Sequence, residues 1–93
     1  MIDRAAKPRL ASKVRLRFDR HSQQHMLLYP DHGMLLNPSA VSILELCTGE
    51  NSLATIVEHL TAATGGTPSQ VEADVQDFLG ALLERALIRL DHA

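Results

Sequence analysis

The chain has 93 residues, 45% of them hydrophobic and 22% charged, with a formal net charge of -2. That length supports one domain around one modest core and excludes a scaffold carrying a separate catalytic domain. The opening MIDRAAKPRL has no apolar signal region, no stretch is long and apolar enough to span a membrane, and the lone Cys47 can form no internal disulfide, so a cytoplasmic protein without a membrane partner is expected.

Charge is unevenly spread. Residues 1–20 hold Arg4, Lys7, Arg9, Lys13, Arg15, Arg17 and Arg20 against Asp3 and Asp19, a net of +5, and the rest of the chain carries -7. Such a basic front either sits against the chain's own acidic helices and solvent, or complements an acidic peptide or protein partner.

Residues 1–12 show no periodicity and carry Pro8, so they read as a mobile arm ahead of a single domain over residues 13–93. Lys13 to Asp19 alternates, with Val14, Leu16 and Phe18 on one face and basic residues on the other, which predicts a half-buried strand. A second strand is expected over His25 to Tyr29. Tyr29-Pro30-Asp31-His32-Gly33 then closes a hairpin, since proline presets φ and glycine accepts a positive φ. The third strand, Gly33 to Asn37, has Met34, Leu35 and Leu36 in succession, so both of its faces are expected to have neighbours.

From Pro38 the period changes to that of a helix. Asn37 caps it, Pro38 takes the first position, and Val41, Ile43, Leu44, Leu46 and Cys47 bury it as far as Thr48, with Gly49 as its stop. Ser52 caps a second helix with the stripe Leu53, Ile56, Val57 and Leu60, stopped by Gly65 and Gly66. Thr67-Pro68-Ser69-Gln70 reads as a capping box opening a third helix to about Arg85, striped by Val71, Val75, Phe78, Leu79, Leu82 and Leu83. Leu87 to Leu90 adds a short extended tail. The predicted class is α+β and winged-helix-like, a three-stranded antiparallel sheet followed by a three-helix bundle.

Catalytic sets are missing from the sequence. Cys47 lies in the most apolar helix, where a thiol packs rather than reacts. His21, His25 and His32 lack metal-ligand spacing with Cys or carboxylate partners, and no phosphate-binding glycine loop or nucleophile elbow occurs. The expectation is therefore a protein that is not an enzyme and carries no cofactor. A winged-helix DNA-binding regulator is the alternative suggested by fold class, but the helix Pro68 to Arg85 sets Glu72, Asp74, Asp77 and Glu84 against Arg85 alone, a net of -3 that phosphates repel. Nucleic acid is not an expected partner.

Peptide binding suits the chain better. If Met34 to Asn37 lies at a sheet edge, it can accept an incoming strand through its main chain, with Val71 to Leu79 as a pocket wall. The same edge could instead serve a homodimer, through edge-strand pairing or strand exchange.

VRLRFD, MLLYPDHGMLLNPSAVSILELCTGENSLATIVEHL and VEADVQDFLGALLERALIRL resemble the pyrroloquinoline quinone (PQQ) biosynthesis protein D (PqqD) family from Val14 to Leu90. The specific parts are the YP turn followed by LLN, the glycine-containing connector before a Ser-capped helix, and Asp74, Phe78, Leu79 and Leu82 in the last helix. Ala86 departs from the glycine that often ends that helix. The resemblance implies a peptide chaperone, a recognition element for ribosomally made and modified peptides. It would bind the precursor peptide of pyrroloquinoline quinone and present it to the radical S-adenosylmethionine (SAM) enzyme that crosslinks Glu and Tyr. It further implies peptide-binding residues Met34, Leu35, Leu36 and Asn37 on the strand and Val71, Val75, Phe78 and Leu79 on the helix.

Overall fold

Asn37 marks the change from sheet to helices: its Oδ1 accepts the Ala40 amide at 2.8 Å, and its own backbone remains extended. The computed structural model describes residues 1–30 and 32–91. Its elements in order are β1 (Lys7–Leu10), β2 (Arg15–Asp19), β3 (Gln24–Tyr29), β4 (His32–Leu36), α1 (Pro38–Glu45), α2 (Leu53–Thr64), α3 (Pro68–Glu84) and β5 (Ile88–Asp91). The predicted hairpin lies between β3 and β4, where Tyr29 pairs with His32; its Asp31 falls outside the described residues.

β2, β3 and β4 form an antiparallel sheet in that order, which leaves β4 at an edge. Register sorts the side chains. Leu16, Leu27 and Met34 stand side by side on the core face, and Arg17, Met26 and Leu35 on the outer face. Leu27 is fully buried and Leu36 nearly so, but Leu35 is 61% exposed. The strand therefore has a neighbour on one face only, where its apolar run predicted two.

β1 and β5 form a second, two-stranded antiparallel sheet, with Lys7 opposite Asp91 and Leu10 opposite Ile88. This corrects the expectation of a mobile arm. Ile2, Ala6 and Pro8 are buried, the Ile2 amide donates to Gln76 Oε1 at 2.8 Å, and Gln76 Nε2 donates back to the Ile2 carbonyl at 2.9 Å. The carbonyls of Ala6 and Arg4 accept the amides of Leu53 and Ala54, two first-turn donors that α2 cannot satisfy itself. The alternation Ala6, Pro8, Leu10 against Lys7 and Arg9 is a period-2 signal that the proline obscured.

Helix α2 has the expected ends. Ser52 accepts the Thr55 amide, and Gly65 adopts φ 72°. Helix α1 is shorter than predicted because Asn51 Nδ2 donates to the Leu46 carbonyl at 3.0 Å, and Thr48 is drawn into a bridge with Arg9. Gly49, at φ 85°, lies in that connector rather than at the helix end. The capping box does not form: Thr67 makes no side-chain cap, and Gln70 Nε2 instead donates to Asp74 Oδ1 at 3.0 Å. The core gathers Leu27 and Leu36 from the sheet, Val41, Ile43 and Leu44 from α1, the α2 stripe, Val75, Leu79 and Leu82 from α3, and Ile88 from β5.

Candidate functional site

Beside the free edge of β4 runs a groove of about 280 Å3, bounded by Met34 to Asn37, by Ser39, Ala40 and Ile43 of α1, and by Asp74 and Phe78 of α3. It exists because β4 feeds directly into α1 through Asn37, while α3 returns alongside. Five of the eight predicted site residues line it. Met34 and Phe78 are half-buried, Leu36 closes its floor, and Leu35 stands exposed on the far side of the pleat. The Asn37 carboxamide and carbonyl both hold the start of α1, accepting the Ala40 and Val41 amides at 2.8 and 3.1 Å.

The other three divide. Val71 is half-buried and lines an adjoining hollow between α1, α2 and α3. Val75 also borders that hollow but is 1% exposed, and Leu79 is fully buried, so both support the wall from behind rather than present a surface. Helical spacing marks a stripe but does not separate its core side from its rim. The wall also includes Ile43 and Asp74, which the strand-plus-helix reading did not select as peptide contacts; Asp74 was visible only as part of a motif.

An edge strand with unpaired amides and carbonyls beside an apolar channel can add a strand from an extended chain. Among the described residues, no cluster of three or more His, Cys, Asp and Glu side chains could hold a metal. His25 instead packs edge-on against Phe18, with ring centroids 5.0 Å apart, and His32 against Tyr29. Burial pushes the Cys47 thiol up to about 12, and its Sγ lies 3.4 Å from the Ile43 carbonyl, as suits a packed residue. Asp19 is held below the usual carboxylate range, chiefly by the Ser22 hydroxyl, in an exposed turn.

A family model described as "Coenzyme PQQ synthesis protein D (PqqD)" matches residues 24–88. The chain belongs to the PqqD family. Among PqqD relatives, it is 34% identical over 89 residues to the PqqA binding protein of Xanthomonas oryzae pv. oryzae (strain PXO99A), covering 96% of this chain and 97% of that one. It is 35% identical over 81 residues to the bifunctional coenzyme PQQ synthesis protein C/D of Methylorubrum extorquens, which is 87% of this chain but 22% of that much longer protein.

Two solved PqqD structures match the fold. One is the solution structure of the PqqD truncation of Methylobacterium extorquens PqqCD, described as a functional, stand-alone recognition element for ribosomally synthesized and post-translationally modified peptides. It superposes with a TM-score of 0.75 at 34% identity, covering 88% of this chain and 87% of that one. The crystal structure of PqqD from Xanthomonas campestris gives 0.60 at 32% identity, covering 96% and 99%. The α+β class with a three-stranded antiparallel sheet and three helices is thus the PqqD fold; β1 is an addition to the predicted elements, and it pairs with β5, which falls on the extended tail expected over Leu87 to Leu90.

Proposed function

We propose that this PqqD-family chain is a non-catalytic peptide chaperone: it binds the precursor peptide of pyrroloquinoline quinone as an added strand along β4 and presents it to a radical SAM enzyme in the cytoplasm. The observation that carries the reading is the position of β4, an edge strand with one partner, opening on a groove whose opposite wall holds Phe78. A relative named as a PqqA binding protein and a structural neighbour described as a recognition element support it. Main-chain hydrogen bonds would supply affinity and the side-chain groove selectivity. Holding the peptide beside its enzyme raises the effective concentration of substrate, with no bond made or broken on the chaperone. Any cluster or S-adenosylmethionine would belong to the enzyme.

The DNA-binding alternative has no support: α3 carries Glu72, Asp74, Asp77 and Glu84 and no Lys or Arg within its bounds. An amide NMR titration with the precursor peptide tests the proposal. The largest shifts are expected at Met34 to Asn37 and around Phe78. Shifts confined to β1 and β5, or none at micromolar peptide, would overturn it.

A further inference from the structure

The groove beside β4 does not end where the strand ends. A second hollow, about 400 Å3, continues between α1, the end of α2 and the first turns of α3, walled by Ile43, Leu60 and Val71, with Val75 behind them. The two share Ser39, Ile43 and Asp74, so Asp74 stands at their junction. Among the described residues it is the sole ionisable side chain on either lining. It is exposed, and Gln70 Nε2 donates to its Oδ1 at 3.0 Å, orienting the carboxylate. The ion pairs among the described residues engage other carboxylates, Arg4 with Glu72 and Arg9 with Asp91.

We propose that the hollow between α1 and α3 is an anchor site for a bulky apolar side chain of the docked segment, and that Asp74 selects segments bearing a lysine or arginine beside that anchor. The inference rests on the peptide-binding reading and specifies which peptides qualify. An isolated carboxylate on an apolar channel is complemented by an ammonium or guanidinium, which gains a charge-assisted hydrogen bond partly shielded from water. An acidic side chain at the same point meets uncompensated repulsion and is rejected. The exposed Arg15 and Arg17 do not offset this, because they lie on β2, at the opposite edge of the sheet.

Calorimetry with the precursor peptide separates the two levels of the proposal. Asp74→Lys should weaken binding at least about tenfold, and the near-isosteric Asp74→Asn about threefold, both less at high salt. Glu58→Lys, at an exposed position of α2 that lines neither hollow, should change it by less than about twofold. Changing the peptide's cationic residues to Glu one at a time should identify one change that restores binding to Asp74→Lys. Ser42→Phe, which fills the hollow from an exposed position of α1, should weaken wild-type peptide by a similar factor. Wild-type affinity in Asp74→Lys and Asp74→Asn, or no restoring change, overturns the role of Asp74 while leaving peptide binding intact. Undiminished binding to Ser42→Phe overturns the anchor site. Absence of binding to the unmodified chaperone overturns the peptide reading as well.

Discussion

Arg85 Nη2 donates to the Tyr29 hydroxyl at 3.1 Å, and its guanidinium carbon lies 5.7 Å from the centre of the tyrosine ring. Tyr29 is the last residue of β3 before the turn into β4, and Arg85 caps α3, so this contact ties the edge strand's hairpin to the helix that forms the groove's other wall. Arg85→Ala, which removes both the hydrogen bond and the cation–π contact, should cost about 1 kcal/mol in urea unfolding. Tyr29→Phe keeps the ring and should cost about half of that. Peptide affinity should fall in both variants.

Ala86 has φ 60°, a left-handed conformation that ends α3 and that a side chain with Cβ disfavours. The turn completes the helix end, with the Leu87 amide donating to the Leu82 carbonyl at 3.0 Å. Ala86→Gly relieves the strain and should raise stability by about 1 kcal/mol, read as a higher urea midpoint with an unchanged slope.

Deleting residues 1–12 removes β1, takes Ile2, Ala6 and Pro8 out of the core, and strips the acceptors from the first turn of α2. The loss should be on the order of 3 kcal/mol or more, a large share of the stability of a domain this small. Thermal unfolding of the shortened chain should begin at markedly lower temperature. A shortened chain as stable as the full one would contradict the β1–β5 pairing.

Leu35 is 61% exposed, so Leu35→Asp should leave folding within about 1 kcal/mol of wild type. It places a charge on the rim that an added strand must cover, and calorimetry with the precursor peptide should show affinity lower by about tenfold.

Cys47 titrates at about 12 when folded, above its ordinary 9.0, because burial disfavours the thiolate. Between those values the folded chain holds a proton that the unfolded chain releases. The stabilisation is full below pH 9 and declines as pH rises, by up to about 1.4 kcal/mol per pH unit. Cys47→Ala should start lower because of its cavity but decline less steeply over that range. Native Cys47 should resist alkylation at pH 8 and react once urea unfolds the chain.

The sequence was most informative where local chemistry decides the structure. Ser52 and Gly65 mark the ends of α2, Asn37-Pro38 the start of α1, and Tyr29-Pro30 the hairpin, because each satisfies or forbids a backbone group within a few residues. Long-range partners decide the rest. Pro8 reads as a strand breaker until Leu90 lies opposite it, and Thr48 reads as helix until Arg9 captures it. The same limit applies at the groove. Met34, Leu35 and Leu36 were legible as a strand but not as an edge, which only the order β2-β3-β4 decides, and separating Phe78 from the buried Val75 and Leu79 requires knowing how α3 is rotated against α1 and α2.

The antiparallel pairing of Lys7 with Asp91 has a consequence for how such a unit can be used. Polypeptide enters and leaves at adjacent points, on strands other than the sheet edge that borders the groove. A longer protein can therefore carry the whole unit as an appendage, through a tether at either terminus, without threading the tether across the groove beside β4.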